Sequence, residues 1–394
     1  MVATGGPFYA WPGLAPAILL NLPYFFKIGN GGHALSTGRV LLNYATMPRF
    51  DISNDYVVRV LQDLINTPSP TGDTDWAISF VEAELESLGI HSVKTTKGAL
   101  VAFFEGLRND KPRALTAHVD TLGAMVKEIK PSGRLKLTAL NGVSWPAVES
   151  EGVTVSTRRG TQVRGSIVLE NGAVHVNRET RKKERNADTL EVRLDERTHS
   201  AEETRLLGIE VGDFVSFDPR FEIGPAGFIR ARFLDDKASV ACILGALKAL
   251  HDAGVNPAQQ THILFSNFEE VGHGGMDGLP DSIVEMLVVD MACIGEGQNG
   301  DEFHCSICLK DSNGPYSKDL SDRVRTLADA SGIELKPDVY PYYGSDGGAY
   351  WLSGGRAQVA LIGPGVDNSH AYERTHSDAL RDTASLIAEY LIED

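Results

Sequence analysis

From Asp51 onward, apolar positions recur with two different periods. In "NDYVVRVLQDLINT" (54–67) and "WAISFVEAELESLG" (76–89) they fall three and four residues apart, the spacing of amphipathic helices, and the turn "PSPTG" (68–72) separates the two. Short apolar runs follow at "HSVKTT", "LVAFFEG" and "ALTAHVD", which predict strands. Between about Gly123 and Phe228 the pattern changes to brief strands divided by Gly, Asn and Asp turns: "RLKLTAL", "GVTVSTRRG", "GSIVLENGAVHV", "LEVRLD" and "DFVSFDP". Helical spacing returns in "LDDKASVACILGALKALHDAG", where Val240, Ile243, Leu244, Leu247 and Leu250 share a face and Gly254 follows the end. Strands "THILFSNF" and "IVEMLVVDMA", a helix at "DLSDRVRTLADASG", a strand at "AQVALIG" and a last helix at "DTASLIAEYLI" complete an α/β layer. The expected organisation is a catalytic α/β domain over 47–122 and 229–394, with residues 123–228 as an inserted β-rich domain.

Residues 1–46 do not share this pattern. "LAPAILLNLPYFF" (14–26) is apolar but short, broken by prolines and not preceded by Lys or Arg, so it fits neither a membrane span nor a signal peptide. The expectation is an extension, disordered or arising from an upstream mis-start. The chain has 394 residues, 42% hydrophobic and 23% charged, enough for a sizeable core. A formal net charge of −16 argues against nucleic acid and anionic membrane surfaces as partners. Four cysteines (Cys242, Cys293, Cys305, Cys308) are too few for a disulfide scaffold, and "EFHCSICLK" alternates like a strand, which points to a reducing, cytoplasmic compartment.

Five segments place metal-type ligands at the ends of apolar elements. "TAHVD" ends a strand with His118 and Asp120 on one face, so that Asp120 is positioned to orient the His118 ring. "LDDKAS" puts Asp235 and Asp236 where a helix begins, as an N-cap or as a carboxylate bridging two cations. "FEEVGHGG" sets Glu269 beside Glu270 at a strand end. Two adjacent carboxylates there are tolerated if one binds a cation while the other stays free as a general base, and the glycines permit close backbone approach. "LVVDMA" ends an apolar strand at Asp290. "SHAYERTHSDALRD" offers His370 and His376 before the last helix, which Ser377 or Asp378 would cap. One His and one terminal carboxylate for each of two metals, with one shared Asp, is a coherent co-catalytic set. His273 lies near the glutamates, and "GSDGGAY" (344–350) is expected to shape a substrate pocket, with Asp346 attracting a cationic group or stabilising the turn.

In this order the motifs resemble the co-catalytic metallo-aminopeptidases of the glutamyl-aminopeptidase, deblocking and tetrahedral-aminopeptidase type. The resemblance runs from about Asp51 to the C-terminus through "PSPTG", "TAHVDTLGAMV", "LGIEVGDFVSF", "LDDKAS", "FEEVG", "VVDMA" and "ERTHS". It implies a zinc-peptidase-like α/β fold, with a central mixed sheet flanked by helices and an inserted β-rich, barrel-like domain. It also implies two divalent metal ions per chain, zinc or cobalt: one held by His118, Asp235 and Asp290, the other by Asp235, Glu270 and His376. Glu269 would be the general base on a water activated by the metal pair, with Asp120 orienting His118. A homo-oligomer, in the family often a dodecamer, and removal of N-terminal residues from peptides are implied as well. Two departures stand out. Lys237 follows the Asp pair where the family has Arg, and "YERTHSDAL" replaces "R-Y-I-H-S-P-V-E", which leaves His370 as a rival to His376. "SHAYERTH" is similar to a branch associated with bacterial osmolyte-biosynthesis gene clusters. Two alternatives are an amidohydrolase or deacylase acting on a small peptide-like molecule, and a metal-free glycosidase, which would leave both imidazoles without a task.

Overall fold

The computed structural model describes residues 19–28, 32–41 and 50–394. The backbones of Leu19–Ile28 and Gly32–Leu41 pair as an antiparallel hairpin. The rest of the expectation for 1–46 lies outside the described residues.

The α/β layer is a nine-stranded mixed sheet. His91–Lys94, Leu100–Phe104, Gln259–Ser266, Arg108–His118, Glu285–Val289, Gln358–Val366, Cys305–Lys310 and Lys336–Val339 lie side by side in that order, and Ala292–Cys293 extends the pairing of Gln358–Val366. The four central strands, Gln259–Ser266 through Gln358–Val366, are all parallel. Both faces are covered over Arg113–His118, Thr261–Ser266, Glu285–Val289 and Val359–Val366, where every residue is buried. Parallel strands end on one edge, so the last residues of neighbouring strands, His118 and Ser266 among them, are brought together there.

On one face, the helix Leu234–Ala253 packs against Asn54–Ile65 and Ser377–Ile392. It is buried almost all round, which explains why "SVACILGALKAL" shows so little polar surface. Gly245 lets the first helix come close: a Cβ there would sit 2.5 Å from Val57 Cγ2. Among the described residues no helix is long and apolar enough to cross a membrane.

Six of the brief strands, from Gly123–Ile129 to Phe214–Phe217, close into a barrel. Alternate positions point into it, among them Val153, Val155, Val163, Ile167 and Val192, all buried. The sequence pattern anticipates these strands, but "GSIVLENGAVHV" pairs only as far as Leu169 and then turns at Asn171. The short helices Ala201–Leu206 and Asp346–Leu352 carry too few apolar repeats to be seen in advance.

Filling the close approach between helices should cost stability. Gly245→Val should lower unfolding free energy by about 1–3 kcal/mol, read by denaturant unfolding, and a wild-type midpoint would show that Val57 moves aside freely.

Candidate active site

The turn "PSPTG" is the first brace of the site. Ser69 Oγ donates to the Val119 carbonyl at 2.7 Å, and Thr71 Oγ1 donates to Asp120 Oδ2 at 2.7 Å. Asp120, fully buried, accepts from the backbone N–H groups of Glu269 (3.1 Å) and Glu270 (3.3 Å) as well. It therefore holds both glutamates by their main chain. His118 Nδ1 lies 2.9 Å from the Asp120 carbonyl oxygen and 3.5 Å from its carboxylate. A proton on Nδ1 serves these acceptors, and Nε2 faces the cluster.

Asp235 and Asp236 precede the regular part of their helix, with non-helical dihedrals, and their peptide bond is cis. Neither acts as the N-cap. Asp236 accepts from His118 N (3.3 Å) and Met291 N (3.1 Å), one bond on each oxygen. Although its oxygens lie close enough to His118 and Asp290 for a ligand set, both are already engaged by main chain, so Asp236 reads as a brace. Asp235 turns its oxygens to two imidazoles: Oδ1 is 3.4 Å from His118 Nε2 and Oδ2 is 3.5 Å from His370 Nε2. Ser369 Oγ also donates to Oδ2 at 2.9 Å. Glu270 Oε2 lies 3.7 Å from His370 Nε2, and Glu269 Oε2 lies 3.9 Å from His118 Nε2. Asp290 is buried directly after its strand, within ligand distance of His118.

The second imidazole is thus His370, and His376 stands apart from the cluster. His376 is itself the N-cap of Ser377–Ile392, with Nδ1 accepting from Asp378 N at 3.1 Å and Nε2 at 2.7 Å from the Ala226 carbonyl. Both nitrogens are taken, and the ring packs edge-on against Phe228 and tilted against Phe303. The six-residue spacing gave no means of choosing. The deciding signal was the chain reversal at "DNSHAYE", where Asn368 and His370 both adopt positive φ and turn the ring inward. His273 stacks on Phe268 and takes the Lys97 ammonium at Nδ1 (3.1 Å). Asp346 braces two central strands, accepting from Ser266 Oγ (2.5 Å) and Thr116 Oγ1 (3.1 Å). The "GHGG" glycines make room for it, since a Cβ on Gly275 would meet the Asp346 backbone at 2.2 Å.

Residues 98–386 match the family model described as M42 glutamyl aminopeptidase. The chain belongs to that family. The Bacillus subtilis (strain 168) protein YhfE, named as an aminopeptidase, is 46% identical over 334 residues, 85% of this chain and 96% of YhfE. Two solved structures share the fold. The aminopeptidase APDkam598 of Desulfurococcus kamchatkensis has a TM-score of 0.78 at 20% identity, covering 86% of this chain and 96% of that one. The TET1 peptidase of Pyrococcus horikoshii, described as able to assemble into a tetrahedron or a large octahedral shell, has a TM-score of 0.76 at 21% identity, covering 86% and 100%. The aminopeptidase described here is accordingly a peptide-bond hydrolase.

Its electrostatics fit a cation centre. Burial pushes Glu269 and Glu270 well above the usual carboxylate range, with Asp290 adding to Glu269 and Asp235 to Glu270. Burial likewise pushes Asp290 up to about 7, with Asp235 contributing. Asp235 is the exception: burial opposes its charge, but hydrogen bonds with His118 and His370 hold it well below the usual range. Through the same contact Asp235 raises His370 to about 10. Imidazole nitrogens and carboxylate oxygens, converging where negative charge is in excess, are a donor set suited to zinc-like divalent ions.

The barrel reaches this centre through one loop. Asn141 Nδ2 donates to the Glu270 carbonyl, and the Gly142 carbonyl lies 3.1 Å from His370 Nδ1. A Cβ on Gly142 would stand 2.5 Å from that nitrogen. Gly142→Ala should therefore displace the ring and lower aminoacyl-anilide hydrolysis by about 10²-fold in a protein that still folds. Wild-type kcat/KM in that variant would show the loop to be irrelevant to His370.

Proposed function

We propose that the aminopeptidase removes N-terminal residues from peptides with two divalent cations, zinc or cobalt, and Glu269 as general base. The observation that carries this reading is Asp235, whose two oxygens address His118 and His370 separately at 3.4 and 3.5 Å. One cation would take His118, Asp290 and Asp235; the other would take His370, Glu270 and Asp235. Ions bound there would lower the pKa of a water and polarise the scissile carbonyl.

The remaining work falls to side chains of this chain. Among the described residues the Glu269 carboxylate accepts no hydrogen bond, and its main chain is anchored by Asp120. It is therefore free to take the proton of the attacking water and pass it to the leaving amine as the peptide bond breaks. Its raised proton affinity suits both halves of that transfer. Asp120 keeps the His118 tautomer and the two glutamates in register. A free peptide N-terminus, as an amine, would be drawn to this acidic centre, which favours attack at chain ends. The reading extends to a homo-oligomer, up to a dodecamer, and to a cytoplasmic setting in keeping with four unpaired cysteines.

Glu269→Gln should keep its metal and lose about 10²–10⁴ in kcat, whereas His118→Ala should lose metal; elemental analysis and an aminoacyl-anilide panel separate the two. Equal metal loss in both would end the division of labour between Glu269 and Glu270, and hydrolysis confined to acylated small molecules would overturn the peptide substrate. Light scattering of the purified chain should give a mass many times that of one protomer, and a monomer at micromolar concentration would refute the assembly.

A further inference from the structure

Three buried carboxylates in this centre spend oxygens on main-chain N–H groups at or next to the candidate site residues. Asp120 holds Glu269 and Glu270, and Asp236 holds His118 and Met291. The third is Glu373, which no motif singled out. Its Oε2 accepts from Asp235 N at 3.2 Å and its Oε1 from His370 N at 3.1 Å. Glu373 is only 2% exposed, so no solvent competes for those bonds.

The position of Glu373 in the chain explains why it can do this. It opens the strand Glu373–His376, which pairs with Phe228–Ala231, and Glu373 lies directly opposite Ala231. The partner strand leads within four residues to Asp235. From the other direction, the bond to His370 N closes the tight reversal in which His370 takes φ +64°. One carboxylate thus ties a strand-anchored position to two ligand backbones that lie 135 residues apart (370 − 235). His370 is assigned above to one of the two cations and Asp235 to both, so the effect on one cation alone comes through His370. The main chain around the other cation's own ligands, His118 and Asp290, is held by Asp236 instead.

We propose that Glu373 is a positioning residue that sets the backbone of Asp235 and His370 and thereby governs affinity for one cation of the pair. This rests on the two-cation reading given above. A carboxylate is required because both of its partners are donors. In Glu373→Gln one oxygen becomes an NH2 group that faces an N–H, so one clasp opens and the donors oppose each other.

The test is zinc titration by calorimetry of the full chain after chelation, for wild type, Glu373→Gln and Glu373→Asp. Wild type should take two equivalents per protomer. Glu373→Gln should take one near wild-type affinity and a second weakened about 10–100-fold, the usual cost of losing a group that orients a metal ligand. Its kcat should fall with KM little changed, and excess zinc should restore part of the rate, which would not repair a general folding defect. Glu373→Asp keeps the charge one methylene short and should fall between the two. Two equivalents at wild-type affinity in Glu373→Gln would overturn the proposal. If that variant does not fold, unaltered binding in Glu373→Asp would overturn it instead. Both equivalents weakening in parallel, without rescue by excess zinc, would also overturn it. Wild type taking no zinc would fail the two-cation reading itself, an outcome distinct from all of these.

Discussion

Carboxylates packed at the carboxyl edge of the sheet repel one another, and the arrangement there follows from how that repulsion is managed. Two like charges about 4 Å apart repel by about 4 kcal/mol at the effective dielectric of a protein surface, and here Asp235 meets Glu270, and Asp236 meets Asp290, within 4.8 Å. Two imidazoles offset part of this charge through Asp235. Burial, with the remaining charge adding to it, raises the proton affinity of Glu269, Glu270 and Asp290. A site in this condition is suited to cations, and under the proposed function the carboxylate left over after they bind would handle the proton of a water.

Holding such groups together demands rigidity that the side chains themselves do not supply. The solution is repeated: a buried carboxylate accepts N–H bonds from the main chain at or next to other residues of the site. Lys237 adds the opposite kind of tie. Its buried ammonium donates to the carbonyls of Leu64 (2.9 Å) and Thr67 (2.7 Å) at the end of the first helix, and burial lowers it to about 7. It joins the Asp235–Asp236 turn to the helix end just before "PSPTG", whose own hydroxyls clasp Asp120.

Much of this was legible in the sequence, and the limits are physical. Strand ends carrying His118, Asp290 and the Glu269–Glu270 pair could be read because a polar residue after an apolar run is conspicuous. The helix and strand order was legible for the same reason, and the mixed sheet with its barrel-like insert appears as expected. His376 misled because it satisfies the same local pattern as a ligand while serving as a helix cap, and only the fold of the 368–373 turn distinguishes it from His370. Asp236, Asp346 and Glu373 act on backbone or hydroxyl groups far away in sequence, and no periodicity reports such contacts. Asp236 in "LDDKAS" was read as a cap or a ligand, Asp346 in "GSDGGAY" as a group for a cationic substrate or a turn, and Glu373 in "ERTHS" was given no role.

The loop at Asn141 and Gly142 bears on how freely the parts of this molecule can be exchanged. An insert that merely decorated the catalytic layer would be replaceable by any module with suitably spaced ends. This barrel instead lends the catalytic centre a side-chain amide for Glu270 and a carbonyl for His370, from a turn too tight for a β-carbon. Grafting a different barrel would require rebuilding that turn, so the two bodies are constrained to change together.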